Sequence, residues 1–138
     1  IANRVDNVRD LGGWKVGWNK RTRYGLVYRG SDMNWGHTIN ADGINVMVND
    51  LHIGCDIDLR SPSEYSPFLT ESPLGQDVEW VNYPVTAYTV TNVGSGTSGT
   101  LYANAIKKIV SNLSNGVITY FHCKAGADRR RFDCGRSV

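Results

Sequence analysis

The sequence predicts an α/β domain with a central, largely parallel sheet. Three observations carry this expectation. Short β-branched and aromatic runs alternate with helical periodicities in the order strand, helix, strand, long loop, strand, helix, strand. The last run is the most apolar and ends in residues that carry chemistry, and open α/β sheets bind ligands at strand C-terminal ends. Finally, 138 residues suit one domain, 1–138, with one modest core.

The first strand is expected at 25–29, where Gly-Leu-Val-Tyr-Arg alternates weakly. A helix follows at 41–51. Asn40 is its N-cap, and Ile44, Met47, Val48 and Leu51 share a face, although Gly43 weakens it. The second strand covers 55–60, where Ile57 and Leu59 alternate with Asp56 and Asp58. A buried strand tolerates such carboxylates only at an end or at a site. Pro62, Pro67 and Pro73 punctuate a loop before a third strand at 78–83. Residues 87–100, rich in Thr, Gly and Ser, read as a mobile loop or lid. Leu101, Ala105, Ile109 and Leu113 are spaced by four and define a second helix at 101–113, stopped by Gly116. The last strand is 117–121, Val-Ile-Thr-Tyr-Phe.

Composition excludes several classes. A formal charge of +2 without a long basic stripe does not suit nucleic acid. The hydrophobic content of 41% is ordinary for a soluble domain, and no apolar run reaches spanning length, so stable membrane insertion is not expected. The chain starts at Ile1, which leaves the compartment open between cytoplasmic and exported after loss of an upstream signal. Trp14 and Trp18, with Lys15, Lys20, Arg21 and Arg23, form a basic aromatic segment, read as a solvated hairpin in preference to an anion-binding surface. Cys55, Cys123 and Cys134 match neither a disulfide framework nor a zinc pattern. Cys55 reads as a buried structural thiol, with a resolving thiol for Cys123 as the alternative.

The chemistry concentrates in His122-Cys123-Lys124-Ala125-Gly126-Ala127-Asp128-Arg129. A turn after a buried strand can point successive N–H groups inward as an anion nest. Arg129 offers a planar fork matched to phosphate, and Cys123 at the bottom of that positive field is expected to be held as thiolate. This octapeptide resembles the signature loop of cysteine-dependent protein tyrosine and dual-specificity phosphatases. It is most similar to a bacterial tyrosine-phosphatase-like group with the loop His-Cys-x-Ala-Gly-x-Asp-Arg. Asn7-Val-Arg-Asp-Leu-Gly-Gly13, Tyr28-Arg29-Gly30-Ser31 (with a glycine inserted into Tyr-Arg-Ser) and Asp58-Leu59-Arg60 with Glu64 resemble segments of the same group. The likeness extends over nearly the whole chain up to Arg129.

The resemblance implies a three-layer phosphatase fold and phosphoric monoester hydrolysis through a phosphocysteine on Cys123. The phosphate is cradled by the amides of Lys124, Ala125, Gly126, Ala127, Asp128 and Arg129. No metal or organic cofactor is needed. His122 orders the loop and helps depress the cysteine pKa. The leaving group needs a proton. No aspartate lies between Asp77 and Asp128, so the lid supplies none, and Asp128 is the first candidate acid, against a role in holding the loop's shape. Asp58 is the second; it either meets substrate or orients Arg129. Arg60 is expected to pair with Glu64. Lys124 occupies a position that is lysine in phosphoinositide 3-phosphatases, so a phosphotyrosine protein, a phosphoinositide and an inositol phosphate all stay open as substrate.

After Arg129 the chain departs from the family pattern. Position 130 is arginine where a hydroxyl residue is implied, and 130–138 lack apolar periodicity. The expectation is a C-terminally incomplete domain, by truncation, frameshift or natural shortening. Such a chain would have weak or no activity and an uncovered sheet face, exposed or buried in an oligomer. The alternatives are a catalytically weak or dead phosphate-binding module and, less favoured, a rhodanese-like sulfurtransferase.

Overall fold

The most apolar runs of the sequence become the middle of a five-stranded sheet. The computed structural model describes residues 8–13, 15–17, 19–21, 23–34, 38–61, 70–85 and 96–123. Its elements are β1 (Arg9–Asp10), β2 (Lys15–Gly17), β3 (Lys20–Arg21), β4 (Val27–Gly30), α1 (Ala41–Asn45) continued by a π-helical turn (Val46–Asp50), β5 (Ile53–Asp58), β6 (Glu79–Asn82), α2 (Gly96–Ser114) and β7 (Ile118–His122). The sheet runs β1-β4-β7-β5-β6, while β2 and β3 form a separate antiparallel ribbon. All neighbours are parallel except β1 against β4. The mixed α/β class with a mostly parallel sheet is as the sequence predicts.

Side chains alternate across the sheet and separate two cores. Tyr28, Ile53 and Tyr120 pack with Met47 and with Ile44, Val46, Val48 and Leu51 of the first helical segment. Cys55, Ile57, Leu59, Phe121 and Cys123 pack with Tyr102, Ala105, Ile106 and Ile109 of α2. The result is helix, sheet, helix in three layers. Asn40 caps α1 as expected, its side-chain oxygen accepting from Gly43 N at 2.8 Å.

Three expectations are adjusted. The helix at 41–51 is α-helical only to Asn45, then widens, with Leu51 N donating to Val46 O at 2.9 Å. The second strand begins and ends two residues earlier than 55–60. And α2 starts at Gly96, inside the stretch read as a lid. Small polar residues nucleate helix poorly, but extending a helix already packed through Tyr102 and Ala105 costs far less than starting one. Among the described residues the exposed large apolar side chains are Tyr24, Val110 and Leu113, none of them on the five-stranded sheet. Also among these residues, no helix is long and apolar enough to cross a membrane.

One register row organises the molecule. Gly30 pairs with His122, His122 with Asp58, and Asp58 with Asn82, so four parallel strands end together. Gly30 has no side chain because there is no room for one. A Cβ there would collide with the Tyr120 hydroxyl and lie 2.9 Å from two ring carbons. That hydroxyl donates to Ser31 O at 2.5 Å, tying β7 to the turn after β4. Gly30→Ala is therefore expected to lower unfolding free energy by about 1–3 kcal/mol, the usual cost of overpacking a core, read from urea denaturation midpoints.

Candidate active site

The site grows from the C-terminal edge of this row. Cys123 is the first residue beyond β7; it is a free thiol, and it is buried in the core on the α2 side of the sheet. Residues 124–138, which include Lys124, Ala125, Gly126, Ala127, Asp128, Arg129 and Cys134, lie outside the described residues, as do Glu64, most of the expected lid and Asn7. The described structure therefore gives the foundation of the loop that starts at Cys123.

That foundation is a buried polar network on the opposite, α1-side face. Asp56 and Asp58 are two apart on β5, so both side chains leave the same face. Both are fully buried, as are Arg60 and Asp32, and His122 is 1% exposed. Unpaired, such groups would be strongly destabilising, so their partners matter. Asp58 Oδ1 accepts from Arg60 N and Nε, both at 2.9 Å. Its Oδ2 accepts from Arg60 NH2 at 2.8 Å and from Trp80 Nε1 at 3.2 Å. Four donors fill the lone-pair sites of one carboxylate. Arg60 NH1 in turn donates to Asn34 Oδ1 at 2.9 Å and lies 3.6 Å from Asp32. Asn82 clamps the backbone, donating to the carbonyls of Asp58 and Arg60 at 2.9 Å each.

The sequence expectations for this region divide. Asp58 and Arg60 do come together beside His122, as supporting residues. Among the described residues the carboxylate of Asp58 accepts four hydrogen bonds, three from Arg60 and one from Trp80; Arg129 lies outside the described residues. Burial alone would raise the Asp58 pKa, but the His122 charge and the Arg60 guanidinium outweigh it and hold it below the ordinary value. The expected Arg60–Glu64 pair involves a residue outside the described set; the described partners of Arg60 are Asp58, Asn34 and Asp32.

Sequence reasoning did not single out Asp56, Ser72 or Trp80. Asp56 Oδ1 meets His122 Nε2 at 2.8 Å, and its Oδ2 accepts from Ser72 Oγ at 2.7 Å. Ser72 Oγ also accepts from Leu74 N at 3.1 Å, which ties the segment before β6 into the network. The legible signal was period two: a carboxylate two residues before Asp58 must share its face. His122 Nδ1 lies 3.2 Å from the Cys123 carbonyl, and its ring stacks on Tyr120 at 5.5 Å. Burial lowers the His122 pKa, but the neighbouring Asp56 and Asp58 more than reverse this and leave it raised.

The opening motif is structural. Asp10 receives Gly12 N at 2.7 Å and Gly25 N at 2.8 Å, joining two turns. Cys55 registers with Thr119, four residues short of Cys123, a separation of about 13 Å along the strand. That exceeds disulfide reach. Burial, with further contributions from its polar neighbours, pushes its thiol up to about 11. Cys55 is thus a structural thiol. Among the described residues, no three His, Cys, Asp or Glu side chains converge as metal ligands do.

The two shifts give stability a pH window. His122, raised when folded, contributes fully below its ordinary value of 6.5; this contribution is lost as pH rises through its folded value. Asp58, lowered when folded, contributes above its ordinary value of 3.8 and is lost as pH falls through its folded value. Urea midpoints should therefore peak between the two ordinary values and decline on either side. A His122→Gln variant should lack the decline on the alkaline side.

Comparison with known proteins agrees with this architecture. A Cupriavidus necator protein bearing the provisional name of a tyrosine-protein phosphatase is 27% identical over 148 residues, which covers 93% of this chain and 52% of the relative. The chain thus spans about half the length of that curated relative. The profile of the tyrosine phosphatase family matches residues 2–130, and the chain belongs to that family.

Proposed function

We propose that this chain is a phosphoric monoester hydrolase of the cysteine-dependent kind, working through the loop His-Cys-x-Ala-Gly-x-Asp-Arg of the bacterial tyrosine-phosphatase-like group. The observation that supports this most is the position of Cys123: the first residue past the central strand of a parallel sheet, with its carbonyl held by His122. In the first step the Cys123 thiolate attacks phosphorus, a P–S bond forms and the P–O bond to the alcohol or phenol breaks. Asp128 gives the leaving oxygen its proton. The amides of residues 124–129 and the fork of Arg129 hold the equatorial oxygens. In the second step water attacks phosphorus and gives a proton back to Asp128, the P–S bond breaks, and inorganic phosphate leaves with the thiolate restored.

Asp128 is favoured as acid on two grounds. No other aspartate lies between Asp77 and the loop. Asp58, the rival, has every lone pair engaged and a depressed pKa, so it is a brace. The substrate class proposed is a phosphotyrosine protein or a phosphoinositide or inositol phosphate, with Lys124 inclining it toward a second phosphate. One feature favours a second reading. Arg130 stands where a hydroxyl would assist loss of the thiolate, which would make this chain a slow enzyme or a phosphate-binding module.

p-Nitrophenyl phosphate hydrolysis inhibited by vanadate separates the readings, since a binding module takes up vanadate without turnover. Cys123→Ser is expected to abolish turnover, below about a thousandth of the parent rate, while vanadate or phosphate still binds; substantial residual rate would remove Cys123 as nucleophile. Asp128→Asn is expected to slow alkyl phosphates by 10²- to 10⁴-fold, about the range for a general acid, and p-nitrophenyl phosphate far less. Equal slowing of both would make Asp128 a shaper of the loop.

A further inference from the structure

Both ring nitrogens of His122 face acceptors. Nε2 is 2.8 Å from Asp56 Oδ1, and Nδ1 is 3.2 Å from the Cys123 carbonyl oxygen, which has no proton to give. On its far side Asp56 Oδ2 accepts from the Ser72 hydroxyl at 2.7 Å. Ser72 Oγ takes Leu74 N on one of its two lone pairs. A neutral imidazole has one N–H and one bare nitrogen, and a bare nitrogen against either acceptor is repulsive. With Asp56 ionised, both contacts are satisfied together only when His122 is an imidazolium that donates at both ends.

The geometry points to Asp56 as a positioning residue for the reaction proposed above: it keeps His122 doubly protonated, and His122 then holds the carbonyl of Cys123, the first peptide of the phosphate loop. The inference rests on Cys123 being the nucleophile, but the chain Ser72–Asp56–His122–Cys123 is geometric and stands apart from any turnover. The other groups around the ring are consistent with this. Asp58, on the same face of β5, favours the charged ring, and Arg60 opposes it but is neutralised by Asp58, with Asp32 3.6 Å beyond. From its own strand Tyr120 stacks on the ring, and across the row β4 presents only Gly30. A raised His122 pKa accords with the pairing.

The arrangement acts as more than a clamp. His122 and Asp56 lie on the α1 side of the sheet, whereas Cys123 packs on the α2 side. Cys123 is reached from both: its carbonyl by His122 and its side chain by the α2-side core. A proton lost from Nδ1 would turn the bond to that carbonyl into a repulsion between lone pairs, at the base of the loop. Replacing Asp56 by asparagine keeps the shape, removes the charge and should lower the pH at which His122 loses its second proton, since an adjacent opposite charge favours the charged ring.

The test uses the 138-residue chain. Long-range ¹H–¹⁵N spectra of its three histidine rings, assigned with His37→Gln and His52→Gln, report the protonation of His122 directly. The expected result is a His122 ring that keeps both protons from pH 5.5 to 8, and a Cys123 carbonyl ¹³C shift that stays constant over that range. In Asp56→Asn both signals should move together with pH. The ratio of variant to parent kcat/KM on p-nitrophenyl phosphate should fall about tenfold between pH 5.5 and 8, whereas a merely structural loss would lower it equally at both. A neutral His122 in the parent at pH 7, or a ratio independent of pH, overturns the inference. If Asp56→Asn does not fold, the parent spectra decide alone. If the parent has no turnover, the phosphatase reading fails, while the ring and carbonyl titrations still decide whether Asp56 sets the charge at Cys123.

Discussion

Two carboxylates in the C-terminal half of a buried strand govern the rest of this structure. Asp56 and Asp58 are fully enclosed, and leaving either unpaired would cost about 3–5 kcal/mol, a large share of the stability of a small domain. Their partners come from far along the chain: Arg60 from the strand's own exit, Ser72 from the segment before β6, Trp80 from β6 and His122 from β7. Satisfying two side chains therefore fixes how three neighbouring strands end. Arg60 extends the network to Asn34 and Asp32 beyond β4, which brings in the fourth.

The consequence is a rigid rim at the C-terminal edge of the sheet. Gly30, His122, Asp58 and Asn82 lie in one register row, and main-chain bonds continue past it, from Leu59 N to His122 O and from Val85 N to Leu59 O. The apolar α2 side packs the thiol, while the polar α1 side holds the peptide that carries it. The proposed nucleophile is thus held from both faces of the sheet, as catalysis by positioning requires. The family assignment and the place of Cys123 at the end of β7 are the grounds on which phosphate-ester chemistry at Cys123 is proposed.

Much of the fold was legible because its signals are local. The Asn40 cap, the four-residue spacing through α2 and the β-branched run of β7 each declare themselves within a few residues. The start of α2 was not legible, because Gly, Thr and Ser follow the helix only once its packed face exists. In the site, Cys123 and His122 stand out from their own neighbourhood in the sequence, and they lie at the end of β7. The bond from Trp80 to Asp58 was not legible, because the two are 22 residues apart and no spacing rule links them. Asp56 was passed over for the same reason: its partner His122 is 66 residues distant, and only strand order brings the two together. Gly30, which reads as an insertion in a turn motif, proves to be the space into which Tyr120 fits.

The central claim is that Cys123 carries the phosphoryl group between the two steps. The most direct measurement is acid-quenched mass spectrometry of the chain after brief mixing with p-nitrophenyl phosphate, with the modified peptide sequenced by fragmentation. The account predicts one phosphoryl group on Cys123, lost again as substrate is exhausted. Turnover without any adduct on Cys123, or a phosphoryl group on another residue that forms and decays at the rate of turnover, would contradict it.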